Sequence, residues 1–198
     1  MKRFFRLISP VAAVAIISLL AITKFSAADS KLGPPVTGDR NGLPVLAMVP
    51  DFELTDATGR KMRRDDLRGR PWIAAFIFTR CAGQCPVMTS RMKRLERLTE
   101  ARLVFFSVDP ADSPAVLSRY AKANSADWLF LTGRRGQVRR LSIEGFHLPA
   151  DAGGAGRSVV HSDKLVLVDG NGRIRGYFDG TAEASLDALV RATRGLTQ

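Results

Sequence analysis

The chain of 198 residues holds two cysteines, four positions apart in Phe78-Thr79-Arg80-Cys81-Ala82-Gly83-Gln84-Cys85-Pro86. An apolar run over 72–78 leads into them, and a helix-periodic stretch over 87–100 leads out. Both thiols are therefore expected where a buried strand hands over to a helix N-terminus. Unsatisfied N–H groups and the positive end of the helix dipole favour thiolate over thiol there. Thiolate is the form that binds soft metals and attacks disulfides. A permanent structural disulfide is the competing use, but a ring this small removes little entropy from the unfolded chain. His161 is the third candidate: it ends a glycine-rich stretch and precedes the apolar run at 164–168. Imidazole beside two thiolates makes a trigonal soft-metal donor set that suits copper. The other histidine, His147, lies between Phe146 and Leu148 and reads as packing or loop surface.

The elements that would position these groups follow from periodicity and turn chemistry. Residues 52–55 alternate, 56–59 turn and 61–62 return, which predicts a short hairpin. A helical turn at 65–68 ends at Gly69. The unbroken apolar run at 72–78 predicts a central strand buried on both faces. Pro86 suits the first turn of the helix that follows. In that helix Val87, Met88, Met92, Leu95 and Leu98 form the apolar stripe. A second buried strand is expected at 103–108. Ser113-Pro114 then gives an N-cap with proline at N1, opening a helix to about 123. A third strand at 128–131 and a helix at 137–144 follow. Residues 145–160 carry Gly153-Gly154-Ala155-Gly156 without periodicity and predict a mobile loop. Asp169-Gly170-Asn171-Gly172 joins two strands in a hairpin, and 181–194 closes the chain as a helix. This order predicts an α/β domain with a central mixed sheet flanked by helices and hairpin additions at both ends. A cysteine pair after the first long strand is the plan of a thioredoxin-like fold.

The chain opens Met1-Lys2-Arg3-Phe4-Phe5-Arg6, followed by an uncharged apolar segment at 7–23. A basic region before an apolar one predicts export. Residues 1–28 are then a signal peptide, cleaved after Ser26-Ala27-Ala28, or an N-terminal membrane anchor. Residues 29–45, rich in Gly, Pro and Asp, read as a linker, and 46–198 as one domain. The basic flank stays cytoplasmic, which places the domain at the periplasmic face, anchored or soluble, where disulfides can form. Formal net charge is +11. Lys2, Arg3, Arg6 and Lys24 supply four of these charges, and arginines cluster at 60–70 and 134–140. An acidic partner, an anionic lipid surface or simple solvation accounts for that excess. An exported chain with no nucleic-acid-binding motif argues against nucleic acid as a partner.

Four segments together carry a family resemblance. Phe76-Ile77-Phe78-Thr79-x-Cys81-x-x-x-Cys85-Pro86, Val108-Asp109-Pro110-Ala111-Asp112-Ser113-Pro114, Leu131-Thr132-Gly133 and Val160-His161-Ser162 occur in the order found in the Sco/SenC family of copper-binding assembly proteins. The resemblance covers about 50–192. It implies a thioredoxin-like fold, a single N-terminal anchor and a site for one copper ion, Cu(I) or Cu(II), built from Cys81, Cys85 and His161. It also implies copper delivery to, or reduction of thiols on, the copper-binding subunit of cytochrome c oxidase or another copper protein. The chain departs from the family at Gln84 and Val160, where acids usually stand. Losing that charge is expected to disfavour Cu(II) more than Cu(I). Two other functions compete. In a thiol–disulfide oxidoreductase Cys81 attacks a partner disulfide and Cys85 resolves the mixed disulfide, with no need for His161. A peroxiredoxin-type peroxidase fits the strand order, but the cysteine spacing and the Cys85-Pro86 junction do not match.

Overall fold

The computed structural model describes residues 42–81, 83, 85–148 and 162–197. Eight strands form one sheet: β1 (Ala47–Met48), β2 (Glu53–Asp56), β3 (Lys61–Arg63), β4 (Trp72–Ile77), β5 (Arg102–Ser107), β6 (Leu129–Thr132), β7 (Lys164–Val168) and β8 (Arg173–Asp179). Their order across the sheet is β1-β8-β7-β4-β5-β6-β2-β3. Strands β4, β5 and β6 run parallel, while β7 lies antiparallel against the other side of β4. The parallel core, with α1 (Cys85–Leu98) and α2 (Pro114–Ala123) as its crossovers, is the expected thioredoxin-like plan. A short α3 (Gln137–Arg140) and a closing α4 (Glu183–Leu196) complete the α-helices among the described residues, and the helical turn expected at 65–68 is a 3-10 turn over Arg64–Leu67.

Every residue of β4 is buried, and its side chains alternate between two cores. Ile73, Ala75 and Ile77 meet Met88, Met92 and Leu95 of α1, Leu117 of α2, and Leu186 and Leu189 of α4. Trp72, Ala74 and Phe76 face Leu67, Val138, Leu141, Phe146 and Leu148. Phe76 stacks on Phe106, ring centroids 4.8 Å apart, and meets Phe146 edge-on at 4.9 Å. A strand covered on both faces has no polar alternation to lose, so 72–78 reads as one continuous apolar run.

Two expectations are corrected. The helix predicted at 137–144 is α-helical only to Arg140 and winds as a π-turn over Leu141–Gly145. The Phe146 N–H donates to the Leu141 carbonyl, and the wider turn lets Phe146 and Leu148 enter the core. Gly145 is required there, because a Cβ would sit 2.7 Å from Pro50 Cγ. The loop predicted from 145 therefore starts too early: Gly145, Phe146 and Leu148 are buried structure. His147 is exposed between them with φ of 50°, in the left-handed region. The predicted leader at 1–28, and 29–41 of the predicted linker, lie outside the described residues. Among the described residues no helix is long and apolar enough to cross a membrane.

At the chain's entry Arg175, only 2% exposed, donates to the carbonyls of Leu43 and Pro44 and to the Asp169 carboxylate. Asp169 also accepts from the Asn171 and Arg173 N–H groups and from the Arg173 guanidinium. The Asp-Gly-Asn-Gly hairpin is thus closed by its own first residue, with Gly172 at φ +82° as the turn requires.

Candidate functional site

Strand β4 ends at Ile77, and residues 78–81 turn before α1 begins at Cys85. The Cys81 N–H donates to the Phe78 carbonyl. The turn is pinned from the β5–α2 connection, thirty-odd residues on. Asp112, 1% exposed, accepts from the Thr79 N–H at 2.9 Å, the Thr79 hydroxyl at 2.6 Å and the Ser107 hydroxyl at 2.6 Å. Asp109 accepts from the Arg80 guanidinium at 2.8 Å and from the Ala111 N–H. Burial alone would raise the Asp109 carboxyl. The Arg80 hydrogen bond and the Ala111 N–H outweigh it and hold the carboxyl below the usual range. Pinning explains the spacing of Val108-Asp109-Pro110-Ala111-Asp112-Ser113-Pro114. The two acids fix the cysteine turn, and Ser113 caps α2 by accepting from the Val116 N–H.

No disulfide joins the two sulfurs in this structure. They differ in access: Cys81 is partly exposed, and Cys85, the first residue of α1, is 1% exposed and packs in the core. Burial, and then the hydrogen bond to Cys81, push the Cys85 thiol up to about 12, against backbone N–H groups of Phe78 and Cys85 that pull the other way. This corrects the expectation that the helix N-terminus favours thiolate at both positions. At Cys85 desolvation wins. Tyr120 of α2 is the site residue that sequence reading missed. Its hydroxyl lies 2.9 Å from that of Thr89, one turn along α1 from Cys85. Burial raises the phenol, against the Thr89 hydrogen bond that pulls it down. No sequence motif marks Tyr120, because the contact joins two helices 31 residues apart.

His161, Gln84 and Val160 lie outside the described residues. Ser162, beside His161, is buried and accepts from the Lys164 N–H, so the chain enters β7 from a fixed point. Strand β7 runs antiparallel to β4. Its N-terminal end therefore lies at the end of the sheet where β4 delivers the cysteine turn. Among the described residues alone, no three His, Cys, Asp or Glu side chains cluster as a metal would need. The thiols supply two soft donors, which fit a soft ion and not a hard one.

Comparison with known proteins places this arrangement. The SCO1/SenC family model matches residues 42–197. A Stutzerimonas stutzeri protein named for copper binding is 34% identical over 176 residues, covering 80% of this chain and 85% of that protein. A SCO1/SenC family lipoprotein from Bacillus anthracis superposes with a TM-score of 0.71 at 27% identity, covering 77% of this chain and 97% of its own. BsSco, a member of the Sco family of cytochrome c oxidase assembly proteins in which a disulfide switch is identified, superposes with a TM-score of 0.67 at 26% identity, covering 77% and 94%. The family match spans every element described above, including the strand, turn and helix that carry Cys81 and Cys85, and the chain belongs to the SCO1/SenC family.

Proposed function

We propose that the protein is an extracytoplasmic copper chaperone. Copper is its cargo, held by Cys81, Cys85 and His161 and passed to a copper-binding subunit of cytochrome c oxidase or to another copper protein. The observation that carries this is two neighbouring thiols, one buried at the start of α1 and one accessible on a turn held by buried hydrogen bonds, in a chain of the SCO1/SenC family. The buried sulfur anchors the ion. The accessible one is where a partner's thiolate or imidazole exchanges in. Thiolate softness selects copper over hard ions. The N-terminal segment at 1–28, retained as an anchor, would keep the domain at the periplasmic face of the membrane. The test is metal analysis of the reduced full chain under limiting copper. Wild type binds one copper per chain, Cys81→Ser and Cys85→Ser lose tight binding, and His161→Ala weakens it. Undiminished stoichiometry in either serine variant overturns the proposal.

Thiol–disulfide exchange is a second function, favoured by the asymmetry of the pair. Burial pushes the Cys85 thiol well above its ordinary value and shields it, whereas Cys81 is partly exposed. Cys81 is therefore the attacking sulfur and Cys85 the resolving one. Single-turnover alkylation at pH 8 is expected to label Cys81 at least about 100-fold faster than Cys85. Equal labelling removes the assignment. Oxidation to the Cys81–Cys85 disulfide removes both thiolate donors, so the same cycle would also release copper.

A further inference from the structure

The end of the sheet opposite the cysteines carries an unbalanced pair of arginines. Arg102 opens β5 and is in register with Trp72 of β4, and its N–H donates to the Pro71 carbonyl. Arg70 lies two residues before Trp72, on the segment that leads into β4. The two arginines therefore stand near the same end of the adjacent parallel strands β4 and β5. They line a groove of about 550 Å³ with Arg60 and Lys61 of the β2–β3 hairpin and with Trp128. Arg60 is paired with Asp56, and Lys61 lies 3.8 Å from Glu53. Among the described residues neither Arg70 nor Arg102 makes an ion pair, and the Arg102 guanidinium donates only to the Asp66 carbonyl. Two acids, Asp66 and Asp127, share the lining with four cations, Arg60, Lys61, Arg70 and Arg102, so positive charge is in excess there. Burial first, and then the charge on Arg70, push the Arg102 guanidinium down, with a weaker opposing pull from Asp66.

Like charges held together in a partly desolvated groove are unfavourable until an anion lies between them. Guanidinium forks match tetrahedral oxyanions, and two of them can chelate one. We propose that this groove is a phosphate-binding site, in which Arg70 and Arg102 clamp one phosphate group against the wall formed by Trp128. Two sources share that chemistry: free phosphate and the phosphodiester of a lipid headgroup. The groove lies one strand length, roughly 20 Å, from the thiols. Occupancy would orient the domain or its surroundings without touching the cysteine chemistry.

The experiment titrates the full chain in non-ionic detergent with inorganic phosphate and, separately, with glycerophosphoglycerol, a soluble diester headgroup. Binding is read by calorimetry and by the Trp128 indole N–H resonance. Wild type is expected to bind at least one of them, with Arg70→Gln and Arg102→Gln each weakening it 10-fold or more. Arg135→Gln, which removes the same charge beyond the far end of β6, leaves binding within 2-fold. Tighter binding of the diester assigns the site to lipid headgroups, and tighter binding of phosphate assigns it to the free ion. Arg70→Gln removes an exposed side chain and keeps the test decisive should Arg102→Gln fold poorly. Absence of binding to both probes, or equal loss in Arg70→Gln and Arg135→Gln, overturns the proposal and leaves only general surface charge.

Discussion

Two buried carboxylates hold opposite parts of this molecule and do it with different partners. Asp169 is answered by cations: Arg173 at 2.9 Å and Arg175 at 2.8 Å, the latter itself buried. Asp112 is answered by one backbone N–H and two hydroxyls, and among the described residues no cation lies within ion-pair distance of it. The difference matches what each region does. The Asp169–Arg175 unit ties the chain's entry at 43–44 to the β7–β8 hairpin, where nothing has to move. Asp112 holds the turn bearing Cys81. Neutral donors join Asp112 to that turn, and the one guanidinium on it, Arg80, is answered by Asp109 instead. Removing one partner of a buried ion pair leaves the other charge stranded, whereas losing a neutral donor costs one hydrogen bond.

The largest effect is expected from Arg175→Met. It strands Asp169 beside only the half-exposed Arg173 and leaves the Leu43 and Pro44 carbonyls without this donor. A loss of about 3–5 kcal/mol is expected, a fall in Tm of roughly 10 °C for a domain of this size. Urea unfolding at pH 7 measures it. Copper stoichiometry of the folded variant stays at the wild-type value. Adding Asp169→Asn should recover part of the loss, since the stranded charge goes with it. A double variant as unstable as the sum of the singles would mean that the two groups do not act as a pair.

Asp112→Ala comes next. It leaves the Thr79 N–H and two hydroxyls short of an acceptor, at a cost of about 2–3 kcal/mol. Unlike Arg175→Met, it should also change the site. With the turn at 78–81 released, Cys81 alkylation and copper dissociation both alter several-fold under conditions where the protein stays folded. Asp112→Asn, which keeps one acceptor oxygen, is expected to fall between wild type and alanine on both measures. Should Asp112→Ala lower stability while leaving Cys81 reactivity at the wild-type rate, the two carboxylates have the same purely structural job.

The contrast between these regions was only partly legible in the sequence. The central strand, both hairpins, the Ser113 cap and the cysteine turn all rest on local signals: apolar runs, turn residues and helical spacing. Strand β1, two residues long, has no pattern of its own and exists through its pairing with β8. The seating of the β2–β3 hairpin beside β6 is likewise a long-range choice. The π-turn at Leu141–Gly145 is dictated by where Phe146 must go, which no window of sequence contains. At the site, the residue types and their order pointed to Cys81 and Cys85. The bonds from Asp112 and Asp109 to the turn span 33 and 29 positions and have no periodic trace. Helix-end electrostatics are visible in a sequence, but the desolvation that overrules them at Cys85 depends on what packs above it.

Asp179 tests whether burial or bond count separates these carboxylates, and it should give the smallest effect. Like Asp112 it accepts three hydrogen bonds, from the Thr181 hydroxyl, the Thr181 N–H and the Ala182 N–H. Unlike Asp112 its side chain is 37% exposed, with Lys164 at 3.6 Å. The Thr181 hydroxyl, and then its N–H, hold the carboxyl down at about 2. A folded value below the unfolded one means that protonation favours the unfolded chain. The stabilisation is therefore complete above about pH 4, near the unfolded value, and is lost as pH falls towards 2. Solvent screening at this exposure limits it to about 1 kcal/mol. Asp179→Asn is expected to cost that much at pH 7 and nothing at pH 2, read from urea unfolding of both proteins across the range. Asp169, whose carboxyl is also held low against its burial by the Arg173 N–H and Arg175, adds an acid-side loss of the same sign. The Arg175→Met, Asp169→Asn double variant should therefore show a flatter acid limb than wild type. If Asp179→Asn costs as much at pH 7 as Asp112→Asn, hydrogen-bond count alone sets the worth of these groups and burial adds nothing.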